Sequence, residues 1–128
     1  MLKSLDVLVV DDDVGDACAV ARVLRQRHLV RIAVGLREAV HEVSKRVPDV
    51  IVAAFEMPPY RGDALLAMVA REHPHVRRIL FKHARRGRAA MAAAPITEDA
   101  AHAVLQGPLE PAQLLAAMRD DARTRNQD

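Results

Sequence analysis

The sequence predicts a doubly wound α/β domain: one parallel sheet of five strands with helices on both faces. Three observations predict it. Short apolar, β-branched runs alternate along the chain with stretches whose apolar residues recur every three or four positions. The first of these runs, Val7 to Val10, is apolar at every position rather than at every second one, which suits a strand covered from both sides. Gly35, Pro48, Pro74, Pro95 and Pro111 punctuate the alternation at the places where one element would hand over to the next.

Each element has its own warrant. Asp6 to Val10 reads as the first strand. Beyond Asp11 and Asp12, Ala17, Val20, Ala21 and Leu24 fall at i, i+3, i+4, i+7, and Asp13 can cap the helix they define, which should end near His28. Leu29 to Val34 is a second strand closed by Gly35. Leu36, Ala39, Val40, Val43 and Val47 then mark a second helix that Pro48 stops. Val50 to Phe55 is a third strand, followed by a Met57-Pro58-Pro59-Tyr60-Arg61-Gly62 turn. A third helix runs through Leu65, Met68 and Val69 to His73, Pro74 breaks it, and Arg77 to Lys82 is a fourth strand. The alanine-rich Gly87 to Ala94 is the expected fourth helix, ended by Pro95. Ala101 to Leu105 supplies a short fifth strand. Pro111 suits the first position of a last helix lined by Leu114, Leu115, Met118 and Ala122. Residues 1–123 therefore form one domain and 124–128 a polar C-terminal tail or linker remnant.

Composition narrows the function classes. A chain of 128 residues buries roughly two-thirds of its extended surface on folding, enough for one core. With 51% hydrophobic and 28% charged residues the chain is too apolar for disorder, and no apolar run approaches a membrane span. Met1 to Asp6 lacks the regions of a signal peptide, and the single Cys18 excludes an internal disulfide and a multi-cysteine zinc site, so a reducing cytoplasm is expected. Cys18 itself reads as a small buried hydrophobe on the first helix. Nineteen basic and 17 acidic side chains leave only +2, which argues for neither nucleic acid nor an anionic membrane. The distribution is less even: acids crowd Asp11 to Asp16, whereas Arg77, Arg78, Lys82, Arg85, Arg86 and Arg88 crowd a later segment. Aromatic content of 2% removes the stacking platforms of a flavin site or a single-strand binder.

Right-handed crossovers lay each helix against the sheet, and in the flavodoxin-like strand order 2-1-3-4-5 the switch point lies between strands one and three. Ligands bind beyond the carboxyl ends of such strands. The site is therefore expected at Asp11, Asp12, Ala54, Glu56, His83 and Gly107.

Leu8-Val9-Val10-Asp11-Asp12-Asp13, Pro48-Asp49-Val50-Ile51-Val52 with Met57-Pro58 and Gly62, and Gly107-Pro108 together resemble the receiver domain of two-component response regulators, chemotaxis-regulator-like, over roughly Leu5 to Arg123. The resemblance implies the flavodoxin-like fold, a phosphorelay setting, and an acidic pair at Asp11 and Asp12. It also implies that the family's phosphoacceptor aspartate, three residues before the Met-Pro pair, corresponds to Ala54, its switch hydroxyl to His83, and its lysine to Gly107. A methyl group cannot attack a phosphoryl donor. The pattern is thus that of an atypical, degenerate pseudo-receiver, a phosphorylation-independent protein-interaction module in bacterial signalling rather than an enzyme.

Other readings stand beside it. Asp11, Asp12 and Glu56 retain the metal side of the family's pocket, so a weak magnesium-responsive switch is an alternative, with no cofactor required; the plainer alternative is an acidic loop that caps the first helix. His83 with Asp11 and Asp12 could hold a transition metal, or His83 could fill the vacated phosphate pocket as a charged partner of the carboxylates. His73 and His75 flank Pro74 with no third ligand, and His28, His41 and His102 read as surface or packing residues. The basic segment Arg77, Arg78, Lys82, Arg85, Arg86 and Arg88 reads as a partner face for a protein, as a nucleic-acid-binding surface, or as a solvated arginine-rich face. A homodimer through the fourth helix, fifth strand and fifth helix is a further option the resemblance implies. No Ser, Thr or Cys at the strand ends and no glycine-rich phosphate loop point to catalysis; Asp12 or Asp13 as a substitute phosphoacceptor is the one exception to test.

Overall fold

Parity along the strands shows how the core is built. Val7, Val9, Val50, Val52, Ile79 and Phe81 pack on one side of the sheet, and Leu8, Val10, Ile51, Ala53 and Leu80 on the other, all buried. Side chains of a strand alternate between faces, so a run that is apolar at every position needs a cover on each side. The structure is a computed structural model that describes residues 3–83 and 100–119.

The elements are β1 (Asp6–Asp11), α1 (Val14–Leu24), β2 (Leu29–Val34), α2 (Leu36–Lys45), β3 (Val50–Ala54), β4 (Glu56–Met57), β5 (Tyr60–Arg61), α3 (Gly62–Glu72), β6 (Arg77–Lys82), β7 (Ala103–Gln106) and α4 (Pro111–Ala117). Five strands form one parallel sheet in the order β2-β1-β3-β6-β7. This is the expected 2-1-3-4-5 order, with one addition. Glu56–Met57 and Tyr60–Arg61 pair antiparallel as a small hairpin around the cis Pro58–Pro59 bond, where the sequence predicts only a turn.

Helix phase places the side chains. α1 and α4 bury Ala17, Val20, Leu24, Leu114 and Met118 against one face, while Ala39 and Val43 of α2 and Leu65, Leu66 and Val69 of α3 cover the other. Fully burying each large aliphatic side chain is worth about 1.5–3 kcal/mol relative to leaving it exposed. Asp13 caps α1 as expected: its side chain accepts the amide N–H of Asp16 at 2.9 Å. Gly35 enters α2 at φ +91°, a region costly for residues with a Cβ. Gly62 opens α3 so close to β3 that a Cβ there would overlap the Ala54 carbonyl.

Several expectations change. α1 ends at Leu24, although one further hydrogen-bonded turn, with His28 N–H donating to the Leu24 carbonyl, carries the chain to His28. Cys18 is exposed, because it lies about 100° around the helix from the buried Ala17. α2 stops at Lys45 and Arg46 is extended, so Val47 sits in the connection and is exposed. Val40 is exposed too, at the edge of a face centred on Ala39 and Val43. The fifth strand begins at Ala103 rather than Ala101, because His102 is taken up by β6: its N–H donates to the Arg78 carbonyl and its Nδ1 accepts the Arg78 N–H. The expected fourth helix at Gly87 to Ala94, and Ala122, lie outside the described residues.

Candidate functional site at the carboxyl end of the sheet

The strand order brings four chain positions to one end of the sheet. Asp11 ends β1, Ala54 ends β3, His83 follows β6, and Gly107 follows β7 with its N–H donated to the Lys82 carbonyl at 2.7 Å. Phe55 N–H donates to the Phe81 carbonyl at 2.9 Å, which holds the ends of β3 and β6 together.

His83 lies between two carboxylates. Its Nε2 is 3.0 Å from Oδ2 of Asp11, and its Nδ1 is 3.9 Å from Oδ2 of Asp16. The ring also leans on Phe81, with 4.7 Å between centroids. The other oxygen of Asp11, Oδ1, accepts the N–H of Asp13 at 3.1 Å. Among the described residues, the group of metal-ligating side chains brought together is Asp11, Asp16 and His83.

That grouping alters the expected site. Asp11, Ala54, His83 and Gly107 sit at the same end of the sheet as anticipated, but Asp12 turns outward into a groove of about 540 Å³ with Leu36, Arg37, Met57, Pro58 and Tyr60. Glu56 is buried in β4 and outside the cluster. Among the described residues the side-chain donors of Asp11, Asp12 and Glu56 do not come together as one group, and Ala54 offers no oxygen from its side chain. The side chains present therefore lack one carboxylate of the family's magnesium site.

Asp16 is the residue the sequence reading missed. It stands four residues before Val20, on the inward face of α1, so the helix period that marks the core also carried the signal for this carboxylate. A cavity of about 230 Å³ opens beside it, lined by Asp16, Ala19, Val20, His83 and the cis Gly107–Pro108 pair.

The basic segment divides. Arg78 is buried at 8% exposure, with its guanidinium donating to the carbonyls of Ala100, Val76 and Pro74, so it belongs to the fold and not to a partner face. Burial pushes its guanidinium below its usual pKa. Arg77 is half-buried, and its Nε donates to the Ala117 carbonyl at 2.6 Å. Lys82 leans over the Phe55 ring, 5.2 Å from its centroid, with Arg61 4.9 Å from the same ring. Arg85, Arg86 and Arg88 lie outside the described residues.

Residues 7–119 match the response regulator receiver domain family. The chain belongs to that family. Solved structures agree on the fold. A response regulator receiver domain protein (CheY-like) from Methanospirillum hungatei aligns at TM-score 0.78 with 18% identity, covering 98% of this chain and 98% of that one. The signal receiver domain of an HD domain-containing protein from Pseudomonas fluorescens aligns at 0.78 with 21% identity, covering 98% of this chain and 100% of that one. NtrX from Brucella abortus aligns at 0.78 with 22% identity, covering 98% of this chain, which spans 29% of the NtrX chain. No curated protein matches this chain. No helix among the described residues is long and apolar enough to cross a membrane.

Proposed function

We propose that this receiver domain works without phosphorylation, as a non-catalytic protein-interaction module of bacterial cytoplasmic signalling. The observation that carries the reading is the His83–Asp11 contact of 3.0 Å at the end of a sheet whose third strand closes on Ala54. In the family pattern these positions hold an acidic residue, a hydroxyl and the phosphoacceptor. Here a methyl replaces the nucleophile, and an imidazole is bonded to the carboxylate that the family keeps for its metal. Gly107 adds neither charge nor side chain. A domain of this kind presents one arrangement of its strand ends, and the partner reads that arrangement directly.

The experiment is to incubate the chain with acetyl phosphate and magnesium, then record intact mass and amide NMR spectra. The expected result is an unmodified mass and unmoved signals at residues 11–13, 54–57, 82–83 and 106–108. An acid-stable, base-labile adduct on Asp12 or Asp13 would overturn the proposal.

A further inference from the structure

We propose that Asp11, Asp16 and His83 form a binding site for one divalent transition metal ion, entered through the cavity beside Gly107. The site uses Asp16, which the family pattern does not single out, and His83, which stands where the family has a hydroxyl. It shares Asp11 with a magnesium site built on Asp11 and Asp12 but differs from it in the other ligands, and its test is read out separately from phosphorylation.

Geometry supports it first. One donor atom from each of the three side chains lies within 4.8 Å of the others. A tetrahedral zinc ion at about 2.0–2.2 Å from each ligand holds donors about 3.4 Å apart, so the three donors must draw in from their present spread of up to 4.8 Å. The backbones are well anchored: Asp11 ends the inner strand β1, which is paired on both sides, Asp16 is in the first turn of α1 with its amide held by Asp13, and His83 rests on Phe81. Three protein ligands plus one water is the composition of an open zinc site, and the adjoining cavity of about 230 Å³ has room for that water and for a small exogenous ligand.

Donor chemistry supports it second. One imidazole with two carboxylates suits zinc, cobalt or nickel, whereas magnesium prefers an oxygen-only shell. The imidazole has two nitrogens and the cluster has two carboxylates. One nitrogen would ligate the ion together with both carboxylates, and the packing of the ring on Phe81 orients it.

Zinc chloride titrated into the full chain, followed by calorimetry and by the ring-nitrogen NMR signals of the histidines, tests this. One zinc per chain is expected, with the ring nitrogens of His83 shifting as it binds. His83→Gln and Asp16→Asn should each weaken binding at least about ten-fold with the circular dichroism spectrum unchanged, and magnesium chloride should give no such signal. A His73→Ala/His75→Ala variant should bind as the parent does. Absence of saturable binding, or zinc binding in the unsubstituted chain that leaves the His83 ring signals unmoved, would overturn the site; the second readout holds even if a variant fails to fold. Loss of binding in the His73→Ala/His75→Ala variant would assign the zinc to the Pro74 turn and overturn it as well.

Discussion

Nε2 of His83 stands 3.0 Å from Oδ2 of Asp11, joining the ends of β6 and β1 across 72 positions of sequence. The His83 side chain is 12% exposed and that of Asp11 3%, so solvent screens this contact little. A hydrogen bond to a charged group contributes about 1.5–3 kcal/mol net. His83→Ala is therefore expected to lower unfolding stability by about 2 kcal/mol in urea. A double-mutant cycle with Asp11→Asn should show coupling; additivity within about 0.5 kcal/mol would mean that the contact contributes nothing.

Ala54→Asp tests the charge balance of the same end of the sheet. Ala54 is 2% exposed, and its neighbour Ala53 pairs with Val10, one residue before Asp11. A carboxylate placed there is buried next to another, and like charges at close range disfavour ionisation of both. The variant should be less stable than the parent by about 1–3 kcal/mol near neutral pH and should regain part of that loss in magnesium. The parent melting temperature should not respond to magnesium. Thermal melts of both chains with and without the ion check this, and a magnesium response in the parent would mean that the missing carboxylate does not abolish the site.

The sheet was legible because the inner strands β1 and β3 carry continuous apolar runs and the elements alternate regularly, and the long strands fall close to their expected bounds. The Glu56–Met57 and Tyr60–Arg61 hairpin was not, since two-residue strands leave no pattern distinguishable from a turn. At the site, Asp11, Ala54, His83 and Gly107 were legible through the family pattern, whereas Asp16, and not the expected Asp12, joins Asp11 and His83. Asp12 lies in the loop between β1 and α1 and points into the groove; Asp16 lies on the inner face of α1 and meets His83. Strand parity held the clue to Arg78 as well: it is two residues from the buried Leu80, on the same side of β6. Its charge suggested the surface, and of the carbonyls that satisfy it those of residues 74 and 76 are local, while that of residue 100 is brought near only by the fold.

His28 should give the fold a pH dependence. Burial, with help from the nearby Arg27 and Arg119 charges, holds its imidazole below the usual 6.5, and Nδ1 accepts the Leu5 N–H at 3.1 Å. The neutral ring is the form that accepts this bond. Because the folded value lies below the unfolded one, the unfolded chain takes up the proton first as pH falls. The contribution of His28 is therefore fully present above about 6.5 and is lost as pH drops through the folded value. His28→Leu should cost about 1 kcal/mol at pH 7.5, and the difference from the parent should narrow toward pH 5.5. Urea unfolding at both pH values checks it; a constant difference would remove His28 as the cause.

Arg78 and Arg77 are adjacent arginines with different tasks, and substitution should separate them. Arg78 is 8% exposed and donates from Nε to the Ala100 carbonyl at 2.9 Å and from Nη1 to Val76 and Pro74 at 3.1 and 3.2 Å. Those bonds tie β6 to the segment that leads into β7 and to the turn after α3. Removing the guanidinium leaves buried carbonyls without their donor, at about 1–3 kcal/mol for each one that water cannot reach. Arg78→Met keeps the length and the apolar stem, so its cost isolates the lost hydrogen bonds, expected to total about 3 kcal/mol. Arg78→Lys should recover little, because a single ammonium on a flexible stem does not reproduce the planar fork that reaches all three carbonyls. Arg77→Met loses the bond to the Ala117 carbonyl from a half-buried position, a loss worth about 1 kcal/mol. Denaturant unfolding of the three variants, with amide exchange at Ile79 and Leu80 as a local readout, decides between the two tasks. Equal losses for Arg77→Met and Arg78→Met would show that Arg78 serves the fold no more than its neighbour does.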